Sequence, residues 1–195
     1  MKVLIDNGHG IDTPGKRSPD GRLREYAYTR EIADRLAAQL QGDGIDSVRI
    51  VPEETDIPLS ERVARANKLY TESGKQAILV SLHCNAAGNG SQWMSARGWS
   101  VFVDPTASEN SRRLATEIAD VAESKGVKVR KQTGDRNYWV NSLYICKHTH
   151  CPAVLIENFF QDNREDVAFL LSEEGKTCVT EIALQGILKY LNGIT

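Results

Sequence analysis

Long apolar segments are absent from this sequence of 195 residues. No apolar run approaches the roughly 20 residues that a transmembrane helix needs, so we expect no membrane-spanning segment and no membrane partner. At the N-terminus the apolar run extends only from Val3 to Ile5, whereas the hydrophobic region of a secretory signal peptide has about 7–15 residues. We therefore expect the chain to begin within its first strand, without a signal peptide.

An excess of charge of either sign is also absent. Lys and Arg together number 24, Asp and Glu number 26, and the net charge is -2 at pH 7. Because no basic field exists to attract phosphates, nucleic acid is not an expected partner. The hydrophobic share of 41% and the charged share of 26% are typical of a globular protein. A chain of this length suits one hydrophobic core, so we expect a single domain over residues 1–195.

Cysteine is sparse, and its spacing matches neither a zinc finger nor a disulfide-rich scaffold. The four cysteines are Cys84, Cys146, Cys151 and Cys178. We expect them to be buried free thiols, although a disulfide between Cys146 and Cys151 stays open.

Short apolar runs alternate with helical patterns along the chain. The runs predict strands at residues 3–5, 48–51, 77–82, 99–103 and 153–156. Apolar residues that recur every three to four positions predict helices at residues 24–41, 60–70, 111–125 and 177–191. This alternation is typical of an α/β fold, and we expect a mostly parallel, twisted sheet of about six strands with helices on both faces. Polar stretches are expected to form loops at a functional rim, at residues 11–22, 86–97 and 131–141.

Three polar side chains lie where predicted buried strands end. His9 follows the first strand, His83 ends the strand that starts near residue 77, and Glu157 ends the strand that starts near residue 153. Because the carboxyl ends of parallel strands share one edge of a sheet, these side chains should lie close together. Gly8 and Gly10 on either side of His9 permit a sharp turn and leave room beside the ring.

Glu25 adds a fourth group from the first predicted helix. It lies three residues before Tyr28 and seven before Ile32, so it belongs to the buried stripe of that helix. A buried carboxylate needs a partner, and two imidazoles with one carboxylate are a usual ligand set of a hydrolytic zinc site. We therefore interpret His9, Glu25 and His83 as ligands of Zn²⁺. Glu157 is interpreted as the general base that takes a proton from water.

Each of these residues also has a structural interpretation. A single histidine at a strand end is often only hydrogen-bonded, Glu25 would suit a helix N-terminus without a metal, and Glu157 could pair with an arginine. A compact HExxH motif, which would decide the matter, is absent.

A second set of potential metal ligands lies within six residues: Cys146, His148, His150 and Cys151. This segment precedes the strand that leads to Glu157, so it should lie towards the opposite edge of the sheet. We interpret it as a helix end and a turn, in which Lys147 and His148 complement the helix dipole.

Five segments stand out in a fixed order along the chain. They are residues 4–10 (LIDNGHG), Glu25 with Ile32-Ala33, residues 59–62 (LSER) with Ala66-Asn67, residues 81–86 (SLHCNA) and residues 152–157 (PAVLIE). In this order they resemble the zinc-dependent N-acetylmuramoyl-L-alanine amidases of amidase family 3, which occur in bacterial autolysins and phage endolysins. Ordered agreement across almost the whole chain is more specific than any single motif.

The resemblance implies that His9, Glu25 and His83 bind Zn²⁺ and that Glu157 is catalytic. The implied reaction is hydrolysis of the amide between N-acetylmuramic acid and L-alanine, which makes peptidoglycan the substrate and the bacterial cell wall the place of action. The resemblance also places four residues in contact with the muropeptide: Asn85, Arg136, Asn137 and Tyr138.

The implied protein is a monomeric catalytic domain without a separate wall-binding module. Ile11 stands where the family often has a second glycine, and Cys84 replaces a small or apolar residue, so the details of substrate binding stay open. Two other functions also remain at this point. One is a zinc carboxypeptidase or other peptidase, and the other is a non-catalytic module that binds the cell wall.

Overall fold

Six strands form one sheet in the computed structural model, which describes residues 1–132 and 134–193. Thr133, Ile194 and Thr195, which fall within the expected loop 131–141 or the expected domain 1–195, lie outside the described residues. The strands are β1 (Lys2–Asn7), β2 (Ser47–Arg49), β3 (Ala77–Asn85), β4 (Ser100–Val103), β5 (Trp139–Val140) and β6 (Ala153–Phe160). Their order is β2-β1-β3-β6-β4-β5, and neighbours are parallel except for β4 and β6. The expected mostly parallel α/β sheet is confirmed.

Helices cover both faces of this sheet. In the described residues they are α1 (Glu25–Gly42), α2 (Leu59–Glu72), α3 (Glu109–Ser124), α4 (Tyr144–His148), α5 (Arg164–Leu171) and α6 (Glu173–Asn192). Val3 and Ile5 of β1 belong to the larger core, beneath α1, α3, α5 and α6. Leu4 belongs to the smaller core, beneath α2 and α4. Both faces of the strands are therefore buried, which explains their nearly continuous apolar runs. No helix in the described part of the chain is both long and apolar enough to cross a membrane.

Three helices begin earlier than the sequence pattern predicts. Helix α2 begins at Leu59, directly after Pro58, so Ser60 lies in the first turn and is not the cap. Helix α3 begins at Glu109 and α6 at Glu173. The first turns of α3 and α6 are polar and carry none of the apolar periodicity on which the prediction relied. Both starts were therefore placed too late.

Two elements were not predicted because they are short. Strand β5 has two residues and α5 has eight, too few for a hydrophobic period to stand out. Asn163 caps α5, since its side chain accepts hydrogen bonds from the backbone N–H groups of Glu165 and Asp166. An asparagine followed by acidic residues was the available signal for this helix start.

The central strands extend further than the sequence pattern predicts, and this changes the position of two site residues. Strand β3 reaches Asn85 and β6 reaches Phe160, so His83 and Glu157 lie within strands and not at their ends. The two residues are opposite each other in the parallel pairing of β3 with β6. The register shifts between His83 and Asn85. The carboxyl ends of β1, β3 and β6 still meet at one edge of the sheet, as expected.

A candidate metal and catalytic site

The turn that follows β1 holds His9 in an unusual backbone conformation. His9 has a φ of 60°, in the left-handed region that residues with a side chain rarely adopt. Two guanidinium groups donate to its carbonyl oxygen, Arg30 at 3.0 Å and Arg62 at 3.4 Å. The N–H of Gly8 donates to the carbonyl of Leu82 in β3 at 2.9 Å. These contacts fix the direction in which the His9 imidazole leaves the sheet.

Arg62 of α2 is fully buried and bridges several segments below the site. Its guanidinium donates to Asp6 Oδ1 at 2.8 Å, to the carbonyl of Asn7 at 2.7 Å and to Asp56 Oδ1 at 3.0 Å. The second oxygen of Asp6 accepts from Ser81 Oγ of β3 at 2.5 Å. A buried charge is stable only when it is paired in this way. Arg62 thus joins the end of β1 to the loop that precedes α2.

The two glycines beside His9 are required by close packing. A Cβ atom on Gly8 would lie 2.4 Å from Cε1 of His83, so only glycine leaves space for that ring. A Cβ atom on Gly10 would lie 2.0 Å from the backbone nitrogen of Asp56. The sequence led us to expect room beside an imidazole, but the ring that uses this room is that of His83 and not that of His9.

The structure brings the side chains of His9, Glu25 and His83 together. One potential ligand atom from each lies within 4.8 Å of the other two, so the group could hold a metal ion. Glu25 Oε1 is 3.5 Å from His9 Nε2 and 3.1 Å from His83 Nδ1. Ligand atoms around a tetrahedral zinc ion lie about 3.4 Å apart. Donor types and spacing therefore fit a metal ion such as zinc.

Glu25 is held by contacts to both of its oxygens. Oε1 accepts from the backbone N–H of Cys84 at 2.9 Å, and Oε2 accepts from Gln161 Nε2 at 3.1 Å. Gln161 is itself buried, and its backbone N–H donates to the carbonyl of Asn85 at 2.8 Å. Sequence reasoning missed Gln161 because it ended the last strand at Ile156. The pair of aromatic residues before it, Phe159 and Phe160, was the available signal that the strand continues past Glu157.

Burial keeps the imidazole of His9 neutral, and His83 keeps the carboxylate of Glu25 ionised. Burial lowers the pKa of His9 to about 4, with Glu25 opposing this shift and His83 adding to it. Burial also opposes ionisation of Glu25, yet the hydrogen bond and charge of His83 outweigh it and lower the pKa of Glu25. A neutral imidazole and an ionised carboxylate are the forms that bind a metal.

Glu157 lies beside this group and has an unused oxygen. Its Oε2 is buried and has no hydrogen-bond partner among the described residues. Burial raises the pKa of Glu157 to about 7, a shift that the nearby charge of Glu25 increases and those of His83 and Lys16 oppose. A carboxyl group with a pKa near neutrality, next to a possible metal position, can accept and return a proton.

The second set of potential ligands does not form a metal group. Within residues 1–132 and 134–193, the group of His9, Glu25 and His83 is the one with suitable spacing. Helix α4 ends with Lys147 and His148 in its last turn, as expected. All four cysteines are free, with Cys178 half-buried and the other three buried. The expected free thiols are confirmed, apart from the partial exposure of Cys178.

The residues expected to contact a muropeptide differ in their surroundings. Asn85 is half-buried, and its Oδ1 accepts from the backbone N–H of Ala86 at 2.8 Å. Arg136 is exposed, whereas Asn137 Nδ2 donates to Asp120 of α3 at 2.6 Å. Tyr138 packs in the larger core and is 7% exposed. In this structure Tyr138 is a core residue that directly precedes β5.

Comparison with known sequences gives one consistent family. A family model described as N-acetylmuramoyl-L-alanine amidase matches residues 3–189. The chain is 28% identical over 190 residues to the N-acetylmuramoyl-L-alanine amidase LytC of Bacillus subtilis, covering 96% of the chain and 35% of LytC. It is 25% identical over 190 residues to the endolysin of Bacillus phage SPP1, covering 97% of the chain and 66% of the endolysin. The chain thus spans between a third and two thirds of these relatives.

Solved structures have the same fold. The N-acetylmuramoyl-L-alanine amidase from Clostridium difficile 630 superposes with a TM-score of 0.83 at 27% identity, covering 100% of this chain and 98% of that one. Ami1 from Mycobacterium smegmatis gives a TM-score of 0.85 at 20% identity, covering 99% and 97%. At that lower identity the likeness concerns the fold alone.

Removal of one imidazole should abolish metal binding. We expect the parent protein to bind one zinc ion per chain and His83→Ala to bind none stoichiometrically, because two remaining ligands hold zinc poorly. Metal content after dialysis measures this. The control is the His148→Ala, His150→Ala double variant, which should keep its zinc. Full zinc occupancy in His83→Ala would contradict the ligand assignment.

Gln161 should affect metal affinity without contacting the metal. Gln161→Leu keeps a side chain of similar size but loses the hydrogen bond to Glu25 Oε2, and loss of such a bond typically costs about 10–100-fold in metal affinity. Competition with a chelator measures the dissociation constant of zinc. Gln76→Leu, at an exposed position of the same residue type, is the matched control. Equal zinc affinity in the Gln161→Leu variant and the parent would show that Gln161 does not position Glu25.

Proposed function

Because the chain belongs to the N-acetylmuramoyl-L-alanine amidase family, we propose that it hydrolyses the amide bond between N-acetylmuramic acid and L-alanine in peptidoglycan. The observation that carries this proposal is the position of Glu157 next to the group of His9, Glu25 and His83. Glu157 lies opposite His83 in the strand register, and its Oε2 is buried without a partner among the described residues. Such a carboxylate suits the transfer of a proton from water.

We propose zinc as the metal of this site, held by His9, Glu25 and His83. The donor set supports zinc, because two imidazoles and one carboxylate are the ligands of many hydrolytic zinc sites. When bound, zinc supplies Lewis-acid chemistry that polarises the scissile carbonyl and makes water more acidic. Glu25 keeps its orientation through Cys84 and Gln161, so little rearrangement is needed on binding.

Glu157 moves the proton in both halves of the proposed reaction. It accepts a proton from the attacking water while the new C–O bond forms at the carbonyl carbon. It then returns this proton to the alanine nitrogen while the C–N bond breaks. The products are a lactyl carboxylate on the sugar and a peptide with a free amino group. Since Oε2 of Glu157 has no fixed partner among the described residues, no existing hydrogen bond competes with either transfer.

We further propose that the exposed side chain of Arg136 and the half-buried side chain of Asn85 contact the muropeptide. Asn85 is the last residue of β3. Strand β5 is parallel to β4, and β4 is antiparallel to β6. The segment before β5, which includes Arg136, therefore lies at the same edge of the sheet as the ends of β3 and β6. Asn137 and Tyr138 support this segment through the contact with Asp120 and through core packing.

The place of action and the organisation of the protein follow from the same proposal. The names of the relatives, a cell-wall amidase and a phage endolysin among them, support action at the bacterial cell wall. We propose that residues 1–195 form one catalytic domain that acts as a monomer and has no separate wall-binding module within it.

Digestion of purified peptidoglycan tests the reaction itself. The zinc-loaded protein should release free amino groups on alanine without releasing reducing sugars, because the proposed bond is an amide and not a glycosidic bond. A peptide that lacks muramic acid should not be cleaved. Cleavage of such a peptide, with muramic acid amides left intact, would identify a peptidase instead.

The role of Glu157 is tested by a substitution of nearly equal shape. Glu157→Gln should keep the fold and the zinc but lose about 10²–10⁴-fold in hydrolysis rate, since an amide cannot accept the proton of water. Release of amino groups, zinc content and melting temperature are measured together. Glu174→Gln, at an exposed glutamate of α6, is the matched control.

The alternative roles of Glu157 have different signatures. As a metal ligand, Glu157 would be needed for zinc binding, and the glutamine variant would lose zinc. As a structural residue, it would be needed for stability, and the variant would melt at a lower temperature. A variant that keeps zinc, melts like the parent and hydrolyses within a few-fold of the parent rate would rule out the catalytic role.

A further inference from the structure

A cleft lined by three cationic residues lies in the segment around the start of α1, which begins at Glu25. The loop between β1 and α1 encloses a volume of about 360 Å³, and its lining includes Lys16, Arg17 and Arg24. We call this volume the basic cleft. Its remaining charged lining residue is Asp12. The excess of positive charge here contrasts with the net charge of -2 for the whole chain.

The side chains of these three cations are unpaired among residues 1–132 and 134–193. In the part of the chain that the structure describes, none of their side chains makes a hydrogen bond, an ion pair or a ring contact. Asp12 does not neutralise them, because its Oδ1 accepts from the backbone N–H of Asp56 at 2.7 Å. Cations that line one cleft without internal partners attract an anion.

Neighbouring arginines show that this lack of partners is local. Arg22, in the same loop, pairs with Asp20 at 2.7 Å. Arg30, in the first turns of α1, donates to the carbonyl groups of Tyr26 and Glu53 at 2.9 and 2.6 Å. Arg22 and Arg30, on either side of the basic cleft, therefore bind partners within the protein, whereas the arginines that line the cleft do not.

The basic cleft is joined to Glu25 by a backbone hydrogen bond. The carbonyl of Lys16 accepts from the backbone N–H of Glu25 at 3.0 Å, so one wall of the cleft is bonded to a proposed metal ligand.

We propose that the basic cleft binds a carboxylate of the peptide part of the substrate, next to the amide that is cleaved. This inference rests on the proposed amidase function. The N-acetylated sugars of the glycan carry no charge, whereas the peptide that begins with L-alanine carries carboxylates. Guanidinium groups match a carboxylate in shape and can bind both of its oxygens. The cleft thus distinguishes substrates by the charge of the peptide.

Binding of short peptides to an inactive protein tests the proposal without hydrolysis. The protein is Glu157→Gln with zinc bound, and the probes are L-Ala-D-Glu and the same dipeptide with both carboxylates amidated. NMR titration gives the two dissociation constants. We expect the carboxylate form to bind more tightly, and the difference to shrink as salt is raised, because the contact is solvent-exposed.

Substitutions within the basic cleft locate the contact. Lys16→Gln and Arg24→Gln, each added to the inactive protein, should weaken binding of L-Ala-D-Glu by about two- to fivefold, the range for an exposed charge pair. Binding of the amidated dipeptide should not change. Arg22→Gln is the matched control, because Arg22 lies in the same loop but outside the cleft and should leave both affinities unchanged.

The outcomes separate this proposal from the amidase proposal. Equal affinity for the two dipeptides, or equal losses with Arg22→Gln and with the cleft variants, would overturn the carboxylate site even if the parent cleaves peptidoglycan. Conversely, a parent that cleaves no muramoyl amide but discriminates the dipeptides through Lys16 and Arg24 would overturn the amidase function alone.

Discussion

The buried guanidinium of Arg62 is the interaction on which the geometry of the site depends. It pairs with Asp6 at the end of β1 and donates to the carbonyl of Asn7, directly before the turn that carries His9. Removal of one partner of a buried ion pair typically costs about 3–5 kcal/mol, because the other charge is left in a nonpolar environment. The left-handed conformation of His9 is held by the hydrogen bonds to its carbonyl oxygen and by the close packing of Gly8 and Gly10. The buried ion pair of Arg62 and Asp6 thus also holds the imidazole of His9 in position.

Glu25 connects this framework to the chemistry. It occupies the first position of α1, where a carboxylate is favoured by the helix dipole, and at the same time it faces both imidazoles. Its two oxygens are divided between tasks: Oε1 faces the histidines and Oε2 is held by Gln161. The structural interpretation of Glu25, as a carboxylate at a helix N-terminus, is therefore compatible with its interpretation as a metal ligand. A helix N-terminus places the carboxylate, and the neighbouring strands decide what it contacts.

The sequence was most informative where a periodic pattern and a polar residue coincided. The apolar runs of β1, β3 and β6 indicated one edge of the sheet, and the buried stripe of α1 indicated that Glu25 faces it. The group of His9, Glu25 and His83 could therefore be predicted from the sequence. The contacts that position this group could not be inferred in the same way. Arg62 belongs to an amphipathic helix whose arginines are normally exposed, and only the approach of α2 to the end of β1 buries it. The packing of Tyr138 in the larger core could not be predicted for a similar reason, because nothing local indicates that its ring packs inward.

The loop of the basic cleft and residues 86–96 differ in charge. This difference suggests how the proposed substrate is oriented. Residues 86–96 contain no charged side chain, and Asp162 holds their start by accepting from the N–H groups of Ala87 and Gly88. The loop of the basic cleft approaches the same segment closely, since a Cβ atom on Gly90 would lie 2.8 Å from the carbonyl oxygen of Gly15. A substrate with an uncharged glycan and an anionic peptide would therefore place its peptide towards Lys16 and its sugars towards residues 86–96.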